Sequence, residues 1–311
     1  MSSAAAQRPA TVGGAAASAR RVGLLCLVAT TLGWGLNWPI AKVLLAEWPP
    51  LTARAIAGVV AGAALAAIAR ARGESLRIPP GMGKRVVLSS ATNVTAWMGF
   101  ATLGLAWLNV AEAALLTYTM PLWVAVFAWP VLGEKPGWRG MVALLLGLLG
   151  LVVLFAGRGG LALSPEKLPG VAAALAAALC FALGSVLTRG KPTGLAPVAN
   201  VAWQVGLGCA VLAPPALLLE TVNVTTVTPA AWAALGYMTA VAMGVCYLTW
   251  FAALERLPPS TASIATLLTP PIGIGAAALS LGEPVGWREL ASLVLVLTGV
   301  TLALRAPAKP P

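Results

Sequence analysis

The chain contains no histidine, and its whole acidic complement is nine glutamates in 311 residues, with no aspartate. Proton-relay catalysis leans on histidine and paired carboxylates, and most metal sites on clusters of histidine, cysteine and carboxylate. Both are largely excluded, so no enzyme activity, metal or cofactor is expected. Charge of either sign is scarce: 9% of residues are charged and 59% are hydrophobic. A soluble domain carries roughly 25% charged residues, and this chain could not cover a water-facing surface. The four cysteines, Cys26, Cys180, Cys209 and Cys246, have no CxxC spacing and lie inside apolar runs. They read as small buried hydrophobes.

What the chain does have is length of apolar sequence. Runs of about 20 residues, the length that crosses a bilayer as a helix, fall near 22–43, 51–69, 86–107, 111–132, 138–156, 169–188, 197–219, 229–254, 261–281 and 287–304. The expected fold is an all-α integral membrane protein of ten transmembrane helices, with the lipid bilayer as its first partner. Residues 1–19 are rich in Ala, Ser and Gly and are expected to form a disordered cytoplasmic tail. The pair Arg20-Arg21 could mimic a secretory signal, but the apolar run after it continues to about Val43, too long for one.

The net charge of +11 does not point to nucleic acid, because Lys and Arg sit in short loops and tails between the runs. With the N-terminus in the cytoplasm, 15 of the 20 basic residues fall on the cytoplasmic side. Both termini are therefore expected there, in the plasma (inner) membrane if the source is bacterial.

Two turns read alike: LGEKPGWRG at 132–140 and LGEPVGWRE at 281–289. Glu283 follows Glu134 by 149 positions, and Trp287 follows Trp138, Arg288 follows Arg139 and Pro270 follows Pro121 by the same interval. A fainter match at 147 places Trp34 on Phe181 and Lys42 on Arg189. The chain then divides into halves at 20–156 and 157–311. Five spans each is an odd number, so the second half is inverted relative to the first, an architecture common among secondary transporters.

The stretches GWGLNWPIAK, AEAALLTYTMPLWVAVFAWPVLGEKPGWRG with its later partner STASIATLLTPPIGIGAAALSLGEPVGWRE, and Arg54 in PPLTARAIAG resemble the EamA family of the drug/metabolite transporter superfamily. The Trp-rich first and third spans look most like the YddG-type amino-acid exporters within it. The resemblance implies export of small metabolites, amino acids including aromatic ones, with broad selectivity and alternating access between the halves.

Polar and aromatic residues deep in the spans are the candidates for a substrate cavity: Trp34, Asn37 and Trp38; Asn93 and Trp97; Thr117 and Tyr118; Phe181 and Ser185; Tyr247; and Thr266. They would make a mostly apolar pocket with a few polar anchors. Against this, Ser and Thr in lipid often bond their own helix. Pro121 in the fourth span and Pro270-Pro271 in the ninth are candidate hinges or gates, each expected to kink its helix mid-course. Lys42, Arg54 and Arg189 are expected to snorkel to headgroups, with substrate or gate contact as the alternative, and Trp48, Trp129, Trp138, Trp232 and Trp287 to form interface belts. A Glu–Arg pair is expected to brace each of the two alike turns. Gly58 and Gly62 form a GxxxG for packing within the fold or at a homodimer face. Three other functions stay open beside amino-acid export: efflux of aromatic or quaternary cationic drugs, an intramembrane enzyme, and a non-transporting receptor or assembly subunit. The enzyme reading lacks the buried acid or metal cluster it needs.

Overall fold

The structure is a computed structural model that describes residues 12–108, 110–135, 137–156, 165–282 and 285–305. Residues 1–11 of the expected tail, Arg158 and Glu283 lie outside the described residues. Ten helical spans run in order: α1 (Val12–Leu45), α2 (Pro50–Ala71), α3 (Gly83–Gly104), α4 (110–132), α5 (Trp138–Phe155), α6 (Leu168–Gly190), α7 (Pro197–Leu219), α8 (Pro229–Arg256), α9 (259–281) and α10 (Trp287–Arg305). Among the described residues, nine helices are long and apolar enough to cross a membrane, and Trp138–Leu154 in α5 is a shorter apolar one. The first helix starts at Val12, so residues 12–19 of the expected tail are helical.

The ends of the spans follow local chemistry. Proline opens α2, α7 and α8, where its missing N–H belongs to a first turn that has no intrahelical partner for it. Gly133 and Gly282, at φ 72° and 68°, close α4 and α9 in the left-handed conformation that suits a glycine cap. The outside of the bundle is apolar, with Leu217, Leu218 and Leu279 each more than four-fifths exposed, as a lipid-facing surface requires.

The halves interlock. Helix α1 packs on α8 and α9, and its counterpart α6 packs on α3 and α4. The helix pairs α2–α7 and α5–α10 straddle the boundary between halves. Arg20 donates to the Leu304 carbonyl at 2.6 Å, so the start of α1 and the end of α10 share one face of the bundle, here the termini face.

The α2–α7 pair is held at both ends by glutamates. On the far face, Glu220 accepts from Leu51 N, Thr52 N and Thr52 Oγ1 at 2.9, 2.7 and 2.8 Å, capping α2. On the termini face, Glu74 accepts from Ala199 N at 3.0 Å, capping α7. Thr52 and Ala199 are 147 positions apart, so the two braces are repeat equivalents. A carboxylate at a helix N-terminus satisfies free N–H groups and the helix dipole together. Between them the helices touch at glycine: a Cβ on Gly62 would stand 2.4 Å from the Gly206 Cα, and one on Gly58 2.0 Å from the Cys209 Sγ. The GxxxG is thus spent inside the chain.

Several surface readings change. Trp48 is 2% exposed and meets Trp232 edge-on at 5.0 Å, so it is core and not interface belt. Arg139 and Arg288 lie over their neighbours Trp138 and Trp287 at 5.5 and 5.3 Å; among the described residues Arg139 has no glutamate in ion-pair distance, and Glu283, the expected partner of Arg288, lies outside them. An exposed ion pair contributes only about 0–1 kcal/mol, no more than a cation on an exposed ring, so the stacked pose has no deficit to make up. Arg189 does not snorkel: it donates to the Leu254 and Leu257 carbonyls at 2.8 and 3.4 Å, closing the end of α8.

Candidate functional site

Two spans carry π-helical segments at equivalent places, Ala91–Ala96 in α3 and Met238–Val245 in α8, whose first residues are 147 positions apart. A π segment inserts residues into the turn and re-aims the side chains that follow it. Trp97 comes directly after the first segment, and Tyr247 and Trp250 follow the second by two and five positions. With Trp34 of α1 and Phe181 of α6 they form one aromatic wall. Centroid distances are 4.8 Å for Trp97–Phe181, 5.8 Å for Phe181–Trp250, 5.9 Å for Trp250–Trp34 and 5.6 Å for Trp34–Tyr247. Phe251 continues it at 6.0 Å from Tyr247. Phe181, Tyr247 and Trp250 are buried and form the back of the wall, while Trp34 and Trp97 keep part of their surface open. Trp34 is fixed by a hydrogen bond from Nε1 to the Ala242 carbonyl at 3.1 Å, inside the π segment of α8.

The candidate polar residues separate into two groups. Asn37, one turn from Trp34, is half-buried and its Oδ1 has no partner. Tyr118 lies beside Trp38 of α1 and Thr269 of α9, and Trp38 in turn packs on Gly273. Trp38, Tyr118 and Thr269 converge where α1, α4 and α9 meet. The others are engaged elsewhere. Asn93 is fully buried, donating from Nδ2 to Gln204 Oε1 at 2.8 Å and Thr188 Oγ1 at 3.2 Å, while its Oδ1, like that of Asn37, has no partner. The hydroxyls of Thr117, Ser185 and Thr266 donate to carbonyls of their own helices, at Ala113, Phe181 and Ser263 respectively. Each hydroxyl proton is thus committed to its own backbone, which leaves only acceptor lone pairs for a solute. Trp250 and Phe251 were not singled out from the sequence, although Trp250 follows Tyr247 by three positions, on the same helical face.

The prolines act differently from the expected kinks. Helix α4 stops at Thr117 and restarts at Met120, and α9 passes through a 3-10 turn at Thr266–Leu268 before restarting at Thr269. Pro121 and Pro270 therefore sit in the first turn of a new segment, where proline costs no hydrogen bond. The helix is already broken when the proline arrives. The breaks face each other, since Tyr118 of the first lies beside Thr269 of the second.

Below the breaks the bundle is closed on the termini face. The first segment of α9 packs on the second segment of α4. The equivalent pair on the far face, the first segment of α4 and the second of α9, makes at most a marginal contact among the described residues. A latch ties the closed side: Ser260 of α9 donates to Glu134 Oε2 at 3.3 Å, with Arg189 of α6 nearby. Burial raises the Glu134 carboxyl above its usual range and outweighs Ser260 and Arg189, which lower it. A raised value means the latched state holds the proton more tightly than the released state. Falling pH therefore favours the latch, and rising pH through the raised value loosens it. Spin labels at Lys135 and Glu255 should report more of the short distance at pH 5 than at pH 8. In Glu134→Gln that difference should vanish, with the short distance favoured throughout. A pH response unchanged by the substitution would remove Glu134 from the latch.

Among the described residues, no group of three or more His, Cys, Asp or Glu is placed to hold a metal ion.

The chain is similar to several known proteins. The model of the EamA-like transporter family matches it twice, over residues 21–156 and 168–305. The "Uncharacterized transporter YvbV" of Bacillus subtilis (strain 168) is 29% identical over 89% of this chain and 90% of its own length. A "Probable amino-acid metabolite efflux pump" of Salmonella typhimurium is 28% identical over 90% of this chain and 94% of its own. The "Aromatic amino acid exporter YddG" of Ancylobacter novellus is 31% identical, over 47% of this chain and 50% of its own. A solved crystal structure superposes with a TM-score of 0.81 at 24% identity, covering 92% of this chain and 96% of that one, which speaks to the fold alone.

Proposed function

From the premise that the chain belongs to the EamA-like transporter family, we propose that it exports small metabolites, amino acids including aromatic ones, by alternating access between halves 20–156 and 157–311. The observation that carries this reading is the aromatic wall with the unpartnered Asn37 Oδ1 beside it. Stacked rings hold an apolar side chain without demanding one shape, and a lone amide acceptor suits an ammonium group. The names of the relatives from Salmonella typhimurium and Ancylobacter novellus agree with it. With both termini in the cytoplasm, the latched termini face is the cytoplasmic gate and the parted far face opens outward.

Efflux of aromatic or quaternary cations is the second reading, favoured by the same rings, whose faces attract cations. Liposomes holding only this protein separate the two. Labelled phenylalanine should cross at a rate above empty liposomes, and a quaternary ammonium dye should compete weakly. Asn37→Ala and Trp97→Ala should each lower that flux severalfold with membrane insertion unchanged. No flux above empty liposomes for any amino acid would sink the proposal.

A further inference from the structure

Arg54 stands at the fifth residue of α2, a place from which a long cation in lipid ordinarily turns back to the headgroups. It turns inward instead. Its guanidinium donates to Thr102 Oγ1 on α3 and lies near Cys209 on α7 and Tyr247 on α8. Tyr247 belongs to the aromatic wall, in edge contact with Trp34. The surroundings are otherwise apolar: the Cys209 Sγ lies 4.0 Å from the Met98 sulfur and packs on Gly58, one turn along α2 from Arg54.

Among the described residues, no carboxylate forms an ion pair with the charge at this place. Glu220 is the carboxylate whose field reaches Arg54. Its oxygens already accept three hydrogen bonds from Leu51 and Thr52, the brace that caps α2. No carboxylate oxygen among the described residues lies within ion-pair distance of Arg54. The guanidinium has five N–H donors, and Thr102 is its hydrogen-bond partner. A half-buried cation with unused donors is costly unless an anion completes it.

We infer that Arg54 anchors the carboxylate of the transported solute, with the solute's side chain laid on the aromatic wall beyond Tyr247. A guanidinium grips a carboxylate with two parallel hydrogen bonds, giving orientation as well as attraction. The assignment rests on the amino-acid reading above and sharpens it: the solute must carry a carboxylate, and a solute bearing only positive charge is repelled.

Binding to the purified full chain in neutral-lipid nanodiscs tests this, using L-phenylalanine, L-phenylalaninol, which keeps ring and ammonium but lacks the carboxylate, and 3-phenylpropionate. The wild-type chain should bind phenylalanine at least about tenfold more tightly than phenylalaninol, the scale of a charge-assisted hydrogen bond. Arg54→Gln should reduce phenylalanine to the affinity of phenylalaninol, with phenylpropionate lost. Arg54→Lys should keep part of the preference, and it carries the test together with the wild-type ratio if Arg54→Gln does not fold. Nanodiscs of anionic phosphatidylglycerol should give the same wild-type affinities. Lower phenylalanine affinity there means that a lipid phosphate fills the site, and overturns the assignment. So does a tenfold preference that survives in Arg54→Gln, or a wild type that binds phenylalanine and phenylalaninol alike. A wild type that binds none of the three, nor any amino acid, would overturn the amino-acid reading along with it.

Discussion

Gly62→Leu is expected to leave no monodisperse folded protein. Any side chain there must enter the space of the Gly206 backbone, because the Cβ alone would stand 2.4 Å from its Cα and 2.8 Å from its N. A flexible side chain could swing aside from such a collision, but a helix backbone braced at both ends cannot. Overpacking a core costs about 1–3 kcal/mol where neighbours can adjust, and more where they cannot. Leucine's better helix propensity returns at most about 1 kcal/mol. The loss therefore exceeds the gain, and we expect destabilisation of about 3 kcal/mol or more. Gly236→Leu is the matched control, since a Cβ on Gly236 meets nothing within 4 Å. Size-exclusion profiles and melting temperatures of the two should differ sharply. A Gly62→Leu protein that elutes and melts like the wild type would refute the close crossing of α2 and α7.

Trp250→Ala should cost about 3–5 kcal/mol of stability, the usual range for emptying a buried tryptophan site. Trp250 is 0% exposed and joins Phe181 to Trp34, so its loss divides the aromatic wall in two. Trp250→Phe should behave differently. It removes some ring volume, but it also removes an indole N–H that has no partner and is costly to bury. The two effects are each about 1 kcal/mol and opposed, so the net change should be within about 1 kcal/mol. Denaturation in detergent, followed for both variants, checks the contrast. Equal destabilisation by Ala and Phe would mean that the indole N–H, and not the packing, carries the site.

The architecture was readable because membrane crossing needs long apolar runs and the repeat left its register in the turns. Gly133 and Gly282 do cap equivalent helices, as the matched LGE phrases imply. The candidate site was legible in part, down to the level of residue type and depth. Asn37 and Asn93 show why it stopped there. Both are amides deep in a span and each leaves its Oδ1 without a partner, yet the Asn93 Nδ2 donates to Gln204 on a neighbouring helix. Which helix faces an amide is a matter of packing, and no local pattern encodes it. The hydroxyls of Thr117, Ser185 and Thr266 were candidates by depth, but a carbonyl one turn back was always within reach. The π segments have no residue signature of their own, so the re-aiming of Trp97, Tyr247 and Trp250 was invisible. Proline marked the right places in α4 and α9, but it does not say whether a helix bends or stops.

The α2–α7 braces set the mechanics of the whole molecule. Glu220 ties the start of α2 to the end of α7, and Glu74 ties the start of α7 to the end of α2. If one helix slid along the other, both ties would be sheared at once, at opposite faces of the membrane. If the pair merely turned about its glycine crossing, each tie would be displaced least, because the crossing is the fulcrum between them. An elevator-like stroke is thus opposed by the construction of the pair, and a see-saw is not. In engineering terms α2 and α7 are a pinned axle.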